Sequence, residues 1–305
     1  MRKISVKVPA STSNLGSGFD CIGVALKLYL TVTSEMADHT TFIWNEPTLN
    51  TLDEKDNLIL KGITDVFQHC EKEMPPLKIS VTTDIPLARG LGSSASAYVA
   101  GLVIGNAWLG NLLNDDELFW LAVKHEGHPD NAGPAIFGGC VFSSIDWEKE
   151  TITYQKLKFP KEWNWIAAIP SYKLSTTEAR SILPKTYDKK DVVYNLSRYG
   201  LLINAIVHGN RHLMRVGLND RLHQPYRLPL ISGLQQLLER QEEFNTIGII
   251  ISGAGPTVLA LTDEETKQNE LINSMKNLLG QNGHYIDILN LPVDDEGYVV
   301  SIHKD

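Results

Sequence analysis

The sequence predicts an α+β protein of two domains, and three observations carry that prediction. The chain has 305 residues, which corresponds to two domains at roughly 150 residues each. Its first half mixes alternating, β-rich stretches with a glycine-rich loop that runs into an apolar helix. Its second half reads strand, helices, strand, strand, helix, strand, the ferredoxin-like order with extra helices inserted.

Taken in order, Ile4, Val6 and Val8 alternate, and β-rich residues continue through 24–33 and 41–44. Asp56 is the expected cap of a helix whose apolar residues Ile59, Ile63, Val66, Phe67 and Cys70 fall at helical spacing. Pro75 and Pro76 stop it, and 77–83 reads as a strand. Gly90-Leu91-Gly92-Ser93-Ser94-Ala95-Ser96 then leads into an apolar helix ending near Trp108. Asp115, Asp116 and Glu117 open another helix, with Leu118, Leu121 and Ala122 inward and Gly127 closing it. A segment around Pro134 and a strand at 139–144 complete this half. The charged stretch 148–162, with Lys149, Lys156, Lys158 and Lys161, marks the expected boundary, dividing the chain into residues 1–155 and 156–305. Beyond it come a strand at 165–169, helices over 175–243, and strands 246–252 and 257–262 meeting at Gly253-Ala254-Gly255-Pro256. A helix at 265–279 and a strand at 285–289 finish the pattern.

Composition excludes several classes of function. Lys plus Arg is 28 against 36 for Asp plus Glu, a net charge of −8, which disfavours a nucleic-acid binder working through a basic face. Cys21, Cys70 and Cys140 are odd in number and widely spaced, so neither a disulfide framework nor a zinc finger is expected, and a reducing cytoplasm fits. No apolar run follows Met1-Arg2-Lys3, and no stretch approaches the ~20 apolar residues that span a bilayer. The expectation is a soluble cytoplasmic protein with neither nucleic acid nor membrane as partner.

Four segments carry candidate chemistry. Pro86-Leu87-Ala88-Arg89-Gly90-Leu91-Gly92-Ser93-Ser94-Ala95-Ser96 sits between a strand and a helix, where backbone N–H groups and the helix dipole favour phosphate. A plain tight turn with Ser93 as N-cap reads the same residues equally well. No GK[ST] tripeptide follows, so the loop is not of the Walker type. Residues 9–20, PASTSNLGSGFD, present Asn14 and Asp20 on a polar loop, whose glycine spacing is not that of a dinucleotide fingerprint. Glu126-Gly127-His128-Pro129-Asp130-Asn131 packs two carboxylates, an imidazole and an amide into six residues; a C-cap at Gly127 followed by an N-cap at Asp130 is the structural alternative. Ser252-Gly253-Ala254-Gly255-Pro256-Thr257 is a tight hairpin on its punctuation alone. His208 and His212 have the i, i+4 spacing of metal ligands, but no HExxH glutamate accompanies them and Gly209-Asn210 ends the helix, so they read as surface residues.

The combination is more specific than its parts. PASTSNLGSGFD, PLARGLGSSAS (86–96), HPDNAGPAIFGG (128–139), STTEAR (175–180), QPYR (224–227) and SGAGPT (252–257), in this order, resemble the GHMP small-molecule kinase superfamily and, within it, the homoserine kinases. The likeness runs from the N-terminus to about residue 262. It implies the two-domain GHMP kinase fold: an N-terminal ribosomal-protein-S5-domain-2-like domain followed by a ferredoxin-like one. It also implies ATP-dependent phosphorylation of the L-homoserine hydroxyl with Mg2+ as cofactor. A homodimer is compatible with the resemblance, although nothing in the sequence sets the oligomeric state.

Carried over residue by residue, segment 86–96 would wrap the nucleotide phosphates, and Asn57 would lie near the adenine. Ser94 would be a magnesium ligand or a phosphate contact, and Glu126 the other magnesium ligand. Asn14, Asp20, His128, Asn131, Thr176, Arg180 and Arg227 would line the amino-acid pocket, a pool with an acid for an ammonium and arginine forks for a carboxylate. Arg180 and Asn131 are assigned to orienting substrate and transition state, with Asp130 as the candidate base if a base is used. The alternatives are a mevalonate-type or sugar kinase of the same superfamily and a ligand sensor without catalysis.

Overall fold

The computed structural model describes residues 2–45 and 57–304. The chain begins with two long strands, β1 (Arg2–Ser13) and β2 (Ile22–Met36), and a short β3 (Thr41–Trp44). Helix α1 (Leu58–His69), strand β4 (Leu77–Thr83) and helices α2 (Ser93–Trp108), α3 (Asp115–Glu126) and α4 (Ala132–Phe137) follow, then β5 (Cys140–Asp146) and β6 (Thr151–Leu157). The later part comprises β7 (Asn164–Pro170), α5 (Thr176–Ser181), α6 (Lys189–His208), α7 (Arg211–Gly217), α8 (Gln224–Arg227) and α9 (Leu234–Glu239). It ends with β8 (Gly248–Ile251), β9 (Val258–Thr262), α10 (Gln268–Leu279), β10 (Ile286–Leu291) and β11 (Val299–Lys304). Among the described residues no helix is long and apolar enough to cross a membrane.

The first sheet runs β11-β1-β2-β4-β3, with β5 added to β2 and β6 to β5. The alternation predicted for β1 is realised: Ile4, Val6 and Val8 are all fully buried. Helix α2 packs on this sheet and is buried on nearly every side, as its unbroken apolar sequence requires. Ile59, Ile63, Val66 and Phe67 form the buried stripe of α1, while Cys70 and Leu121 are only partly buried. The expected cap Asp56 lies outside the described residues; Asn57 caps α1, its Oδ1 accepting from the N–H groups of Ile59 and Leu60.

The second sheet is antiparallel in the order β10-β7-β9-β8, the ferredoxin-like arrangement, with five helices inserted between β7 and β8. Strands β7, β8 and β9 are buried on both faces, while β10 exposes Asp287 and Asn290. Trp165, Ala167, Leu259 and Leu261 join the core of the first part. Ile166, Ala168, Val258 and Ala260 face a separate core with Leu271 and Met275 of α10. That two-sided burial explains their nearly continuous apolar sequence.

The change from the first sheet to the second falls between Leu157 and Asn164, at the end of the charged stretch 148–162 and a little beyond the expected cut. Residues 151–157 form β6, paired with β5, so a cut between 155 and 156 falls inside a strand of the first sheet. The last strand, β11, leaves the second part and pairs antiparallel with β1 from Arg2–Lys304 to Lys7–Val299. β6 is an edge strand with lysine and threonine facing outward, which makes it look like a linker in sequence.

Candidate active site

A cavity of about 490 Å³ opens where loops of both parts meet. Its lining is apolar around Leu30, Trp44, Leu58, Ile59, Ile85 and Leu87, where Asn57 also contributes, and charged around Asp20, Glu126, His128, Asp130, Arg180 and Arg227. Ser93, Ser94 and Ala95 belong to the same lining.

The loop before α2 is shaped to receive an anion. Gly92 occupies the N-cap position in the left-handed region (φ 70°) and no side chain caps the helix, so the alternative with Ser93 as N-cap does not hold. The first N–H groups of α2 therefore carry the helix's partial positive charge with no side-chain cap among the described residues. A Cβ on Gly92 would come within 2.1 Å of Ser11 Oγ, and one on Gly90 within 2.2 Å of the Ser252 carbonyl. Both glycines thus let the loop seat directly on β1 and on the 252–257 turn. Leu87, Ala88, Gly90, Gly92, Ser93, Ser94 and Ala95 line the cavity, whereas Pro86, Arg89, Leu91 and Ser96 do not. Arg89 instead donates to the carbonyls of Pro170 (2.8 Å) and Ser171 (2.6 Å), tying the loop to the end of β7. Ser96 Oγ donates to the Pro9 carbonyl at 2.8 Å, and Leu91 is core.

The loop between α3 and α4 supplies Glu126, His128, Asp130 and Asn131. Gly127 closes α3 in the left-handed region (φ 81°), as its sequence suggests. Helix α4 starts at Asn131 without a side-chain cap, so Asp130 is not spent as an N-cap. Its carboxylate, buried at 1% exposure, sits 2.5 Å from His128 Nδ1. Burial opposes a charge on His128, but Asp130, with Asp20 behind it, wins and raises the imidazole above its ordinary value. Asn131 is fixed on both sides: Oδ1 accepts from Ser11 Oγ (3.0 Å) and Nδ2 donates to Ser13 Oγ (3.2 Å). Glu126 is pushed above the usual carboxylate range chiefly by burial, with Asp130 adding to it. Among the described residues no hydrogen bond or ion pair satisfies its carboxylate. A half-buried carboxylate with no partner among the described residues and the Ser94 hydroxyl line one cavity, and both are hard oxygen donors that suit Mg2+.

The charged end is completed by the later part. Arg180, on α5, forms a two-pronged bond with Asp20, Nη1 to Oδ2 at 3.0 Å and Nη2 to Oδ1 at 2.7 Å. Asp20 sits at φ 56°, and its N–H donates to Asn14 Oδ1 at 2.9 Å. Asn14 Nδ2 donates to the Gly253 carbonyl at 3.1 Å, so Asn14 joins the first loop to the 252–257 turn while lining the cavity. Arg227 is almost fully buried, donating through Nε to Ala179 and through Nη1 to Gly253 (2.9 Å). Burial, then the nearby Arg180, lower its pKa from the ordinary arginine value. Thr176 lines the same wall, next to Ser175, whose hydroxyl accepts from Glu178 N–H and caps α5. Oxygen or nitrogen atoms of Asp20, His128 and Asp130 lie within 4.8 Å of one another. Acid and base thus alternate across this wall, as recognition of a zwitterion requires.

The structure therefore brings Asn14, Asp20, Asn57, Ser94, Glu126, His128, Asp130, Asn131, Thr176, Arg180 and Arg227 to one cavity. Sequence reasoning missed the apolar wall: Trp44 and Thr83 lie on strands whose pattern marks them only as sheet residues. His208 and His212 are exposed, with Gly209 ending α6 between them.

Comparison with known proteins agrees with this geometry. Residues 57–139 match the GHMP kinases N terminal domain, and residues 202–281 match the GHMP kinases C terminal domain. A homoserine kinase of Deinococcus radiodurans is 36% identical over 304 residues, covering 99% of this chain and 98% of that protein. One from Caldicellulosiruptor saccharolyticus is 42% identical over 262 residues, 86% of this chain and 84% of its own length. The crystal structure of homoserine kinase from Cytophaga hutchinsonii superposes with a TM-score of 0.86 at 26% identity, covering 98% of this chain and 97% of that one.

Proposed function

The chain belongs to the homoserine kinases of the GHMP kinase family, and we propose that it transfers the γ-phosphoryl group of ATP to the side-chain hydroxyl of L-homoserine, giving O-phospho-L-homoserine. The observation that carries this reading is one cavity holding both an uncapped helix N-terminus for phosphate and a wall of alternating carboxylates and guanidinium groups for an amino acid. A mevalonate or sugar substrate has no ammonium to answer Asp20. A sensor without catalysis would have no use for the Ser94–Glu126 donor pair.

The base takes the apolar wall, where Asn57, whose Oδ1 caps α1, has no partner for Nδ2 among the described residues. The phosphates take the N-terminus of α2. Ser94 and Glu126 would hold magnesium, which would supply charge neutralisation on the phosphates. At the other end, the ammonium of homoserine goes to Asp20 and its carboxylate to Arg227 and Arg180. Substrate entry therefore exchanges the Asp20–Arg180 bridge for two bridges to the ligand, which keeps every charge partnered. Asn131, locked by Ser11 and Ser13, aims the acceptor hydroxyl. Asp130 is engaged by His128 and serves to hold His128 and Asn131 rather than to take a proton. A loose phosphoryl-transfer transition state needs positioning and charge neutralisation more than a strong base, so the acceptor proton can leave late, to the phosphoryl oxygens. ATP as donor and the three free cysteines support reading the reaction as cytoplasmic.

Incubation with ATP, Mg2+ and L-homoserine, followed by phosphorus NMR, tests the reading. A phosphomonoester signal that depends on homoserine supports it, and ADP formation with no such ester contradicts it.

A further inference from the structure

Behind the charged wall lies a histidine that the reaction does not touch. His223 is fully buried and directly precedes α8. Its Nε2 is 2.8 Å from the carbonyl oxygen of Gly16, in the loop that carries Asn14 and Asp20. Its Nδ1 is 3.2 Å from Nη1 of Arg227. A carbonyl can only accept and a guanidinium can only donate, so these neighbours permit one arrangement of the ring: proton on Nε2, lone pair on Nδ1.

The ring is itself held. Phe19, from the same loop, stacks on it at 5.0 Å between centroids, and the Arg227 guanidinium lies 5.4 Å over that phenyl ring. The carboxylate of Asp220 accepts from the backbone N–H groups of His223 (2.9 Å) and Gln224 (2.6 Å), fixing the start of α8. A carboxylate oxygen of Asp220 is also 3.5 Å from Nε2.

We propose that His223 is the positioning residue of the amino-acid pocket, joining the loop that bears Asn14 and Asp20 to the guanidinium that receives the substrate carboxylate. The inference rests on reading this cavity as a homoserine site. The Gly253 carbonyl is the second joint, accepting from both Asn14 and Arg227. With two joints the acid and the arginine are held at one separation, which an α-amino acid then matches without reorganisation of the pocket. Burial pulls His223 below the ordinary histidine range, in keeping with a ring that stays neutral.

The test combines kinetics of the full chain with histidine-ring nitrogen NMR. His223→Leu fills the space but bonds neither neighbour, so the KM for homoserine should rise about 10- to 100-fold while the KM for ATP stays within about threefold. His223→Asn restores an acceptor for Arg227 and should recover part of that loss. In the wild-type protein the ring should show the Nε2–H tautomer at neutral pH, a readout that holds even if a variant does not fold. A wild-type KM for homoserine in His223→Leu overturns the proposal, as does an equal rise in both KM values or a ring protonated on Nδ1. Failure of the wild-type protein to phosphorylate homoserine would instead strike the substrate assignment, leaving the tautomer to be decided by NMR.

Discussion

Removing the Arg180 guanidinium should damage catalysis far more than stability, and the structure sets both magnitudes. In the free protein Arg180 pairs with Asp20 through two bonds, with side-chain exposures of 36% and 31%. A pair so open to solvent contributes at most about 1 kcal/mol, so Arg180→Ala should lower Tm by no more than about 2–4 °C. In the proposed complex with both substrates, the guanidinium would be desolvated and would face a carboxylate or the transferring phosphoryl group. Loss of one desolvated, charged contact costs about 2–4 kcal/mol, or roughly 30- to 1000-fold in kcat/KM. Arg180→Lys keeps the charge but cannot span two oxygens, and should recover less than about tenfold of the loss. Coupled ADP release at varied homoserine, beside thermal melts, measures both effects. A rise mainly in KM identifies a carboxylate clamp, and a fall mainly in kcat identifies a transition-state contact. Near wild-type efficiency in both variants would refute the reasoning. So would a fall in Tm of more than about 10 °C, because the arginine would then be structural.

Three further outcomes follow from the same geometry. Glu126→Gln keeps the shape and removes the charge, so kcat should fall by orders of magnitude; turnover within about threefold of wild type at saturating Mg2+ would remove Glu126 from the metal site. Gly92→Val should lower stability together with ATP affinity, because its Cβ meets Ser11 Oγ and Asn131 Oδ1 and would displace the loop proposed to take the phosphates; unchanged nucleotide binding by calorimetry would return the loop to an ordinary turn. The raised pKa of His128 makes its contribution to stability full below the unfolded-state pKa, about 6.5, and lost as pH rises through the folded value. Melts between pH 6 and 8.5 should therefore fall more steeply for wild type than for His128→Asn, and parallel curves would show that the His128–Asp130 pair carries no such linkage.

Much of the site was legible because the chemistry is concentrated in short segments. Asn14 and Asp20, Glu126 to Asn131, and Ser93 to Ala95 each reach the cavity from one loop, so sequence proximity survives folding. Within the phosphate loop the sequence could not separate lining from support. Arg89 and Ser96 look like phosphate ligands in a linear reading, yet β7 and β1 offer them carbonyls, and those contacts exist only after folding. The same limit hid His223, whose two partners lie 207 and 4 residues away. The fold was read well where periodicity is strong, as in β1, α1 and the ferredoxin-like order. It was misread at β6 and β11, whose outward-facing lysine, serine and histidine resemble a linker and a tail until pairing with β5 and β1 gives their backbones partners.

The pairing of acid with guanidinium at one end of the cavity is the central claim, and substrate selectivity tests it most directly. Initial rates of ADP release should be measured with Mg2+, ATP and, in turn, L-homoserine, L-serine, L-threonine, mevalonate and galactose. The expected result is the highest kcat/KM for L-homoserine, and no turnover above the ATP-only rate for mevalonate or galactose, which cannot satisfy Asp20. Equal or faster turnover of mevalonate or a sugar would contradict it.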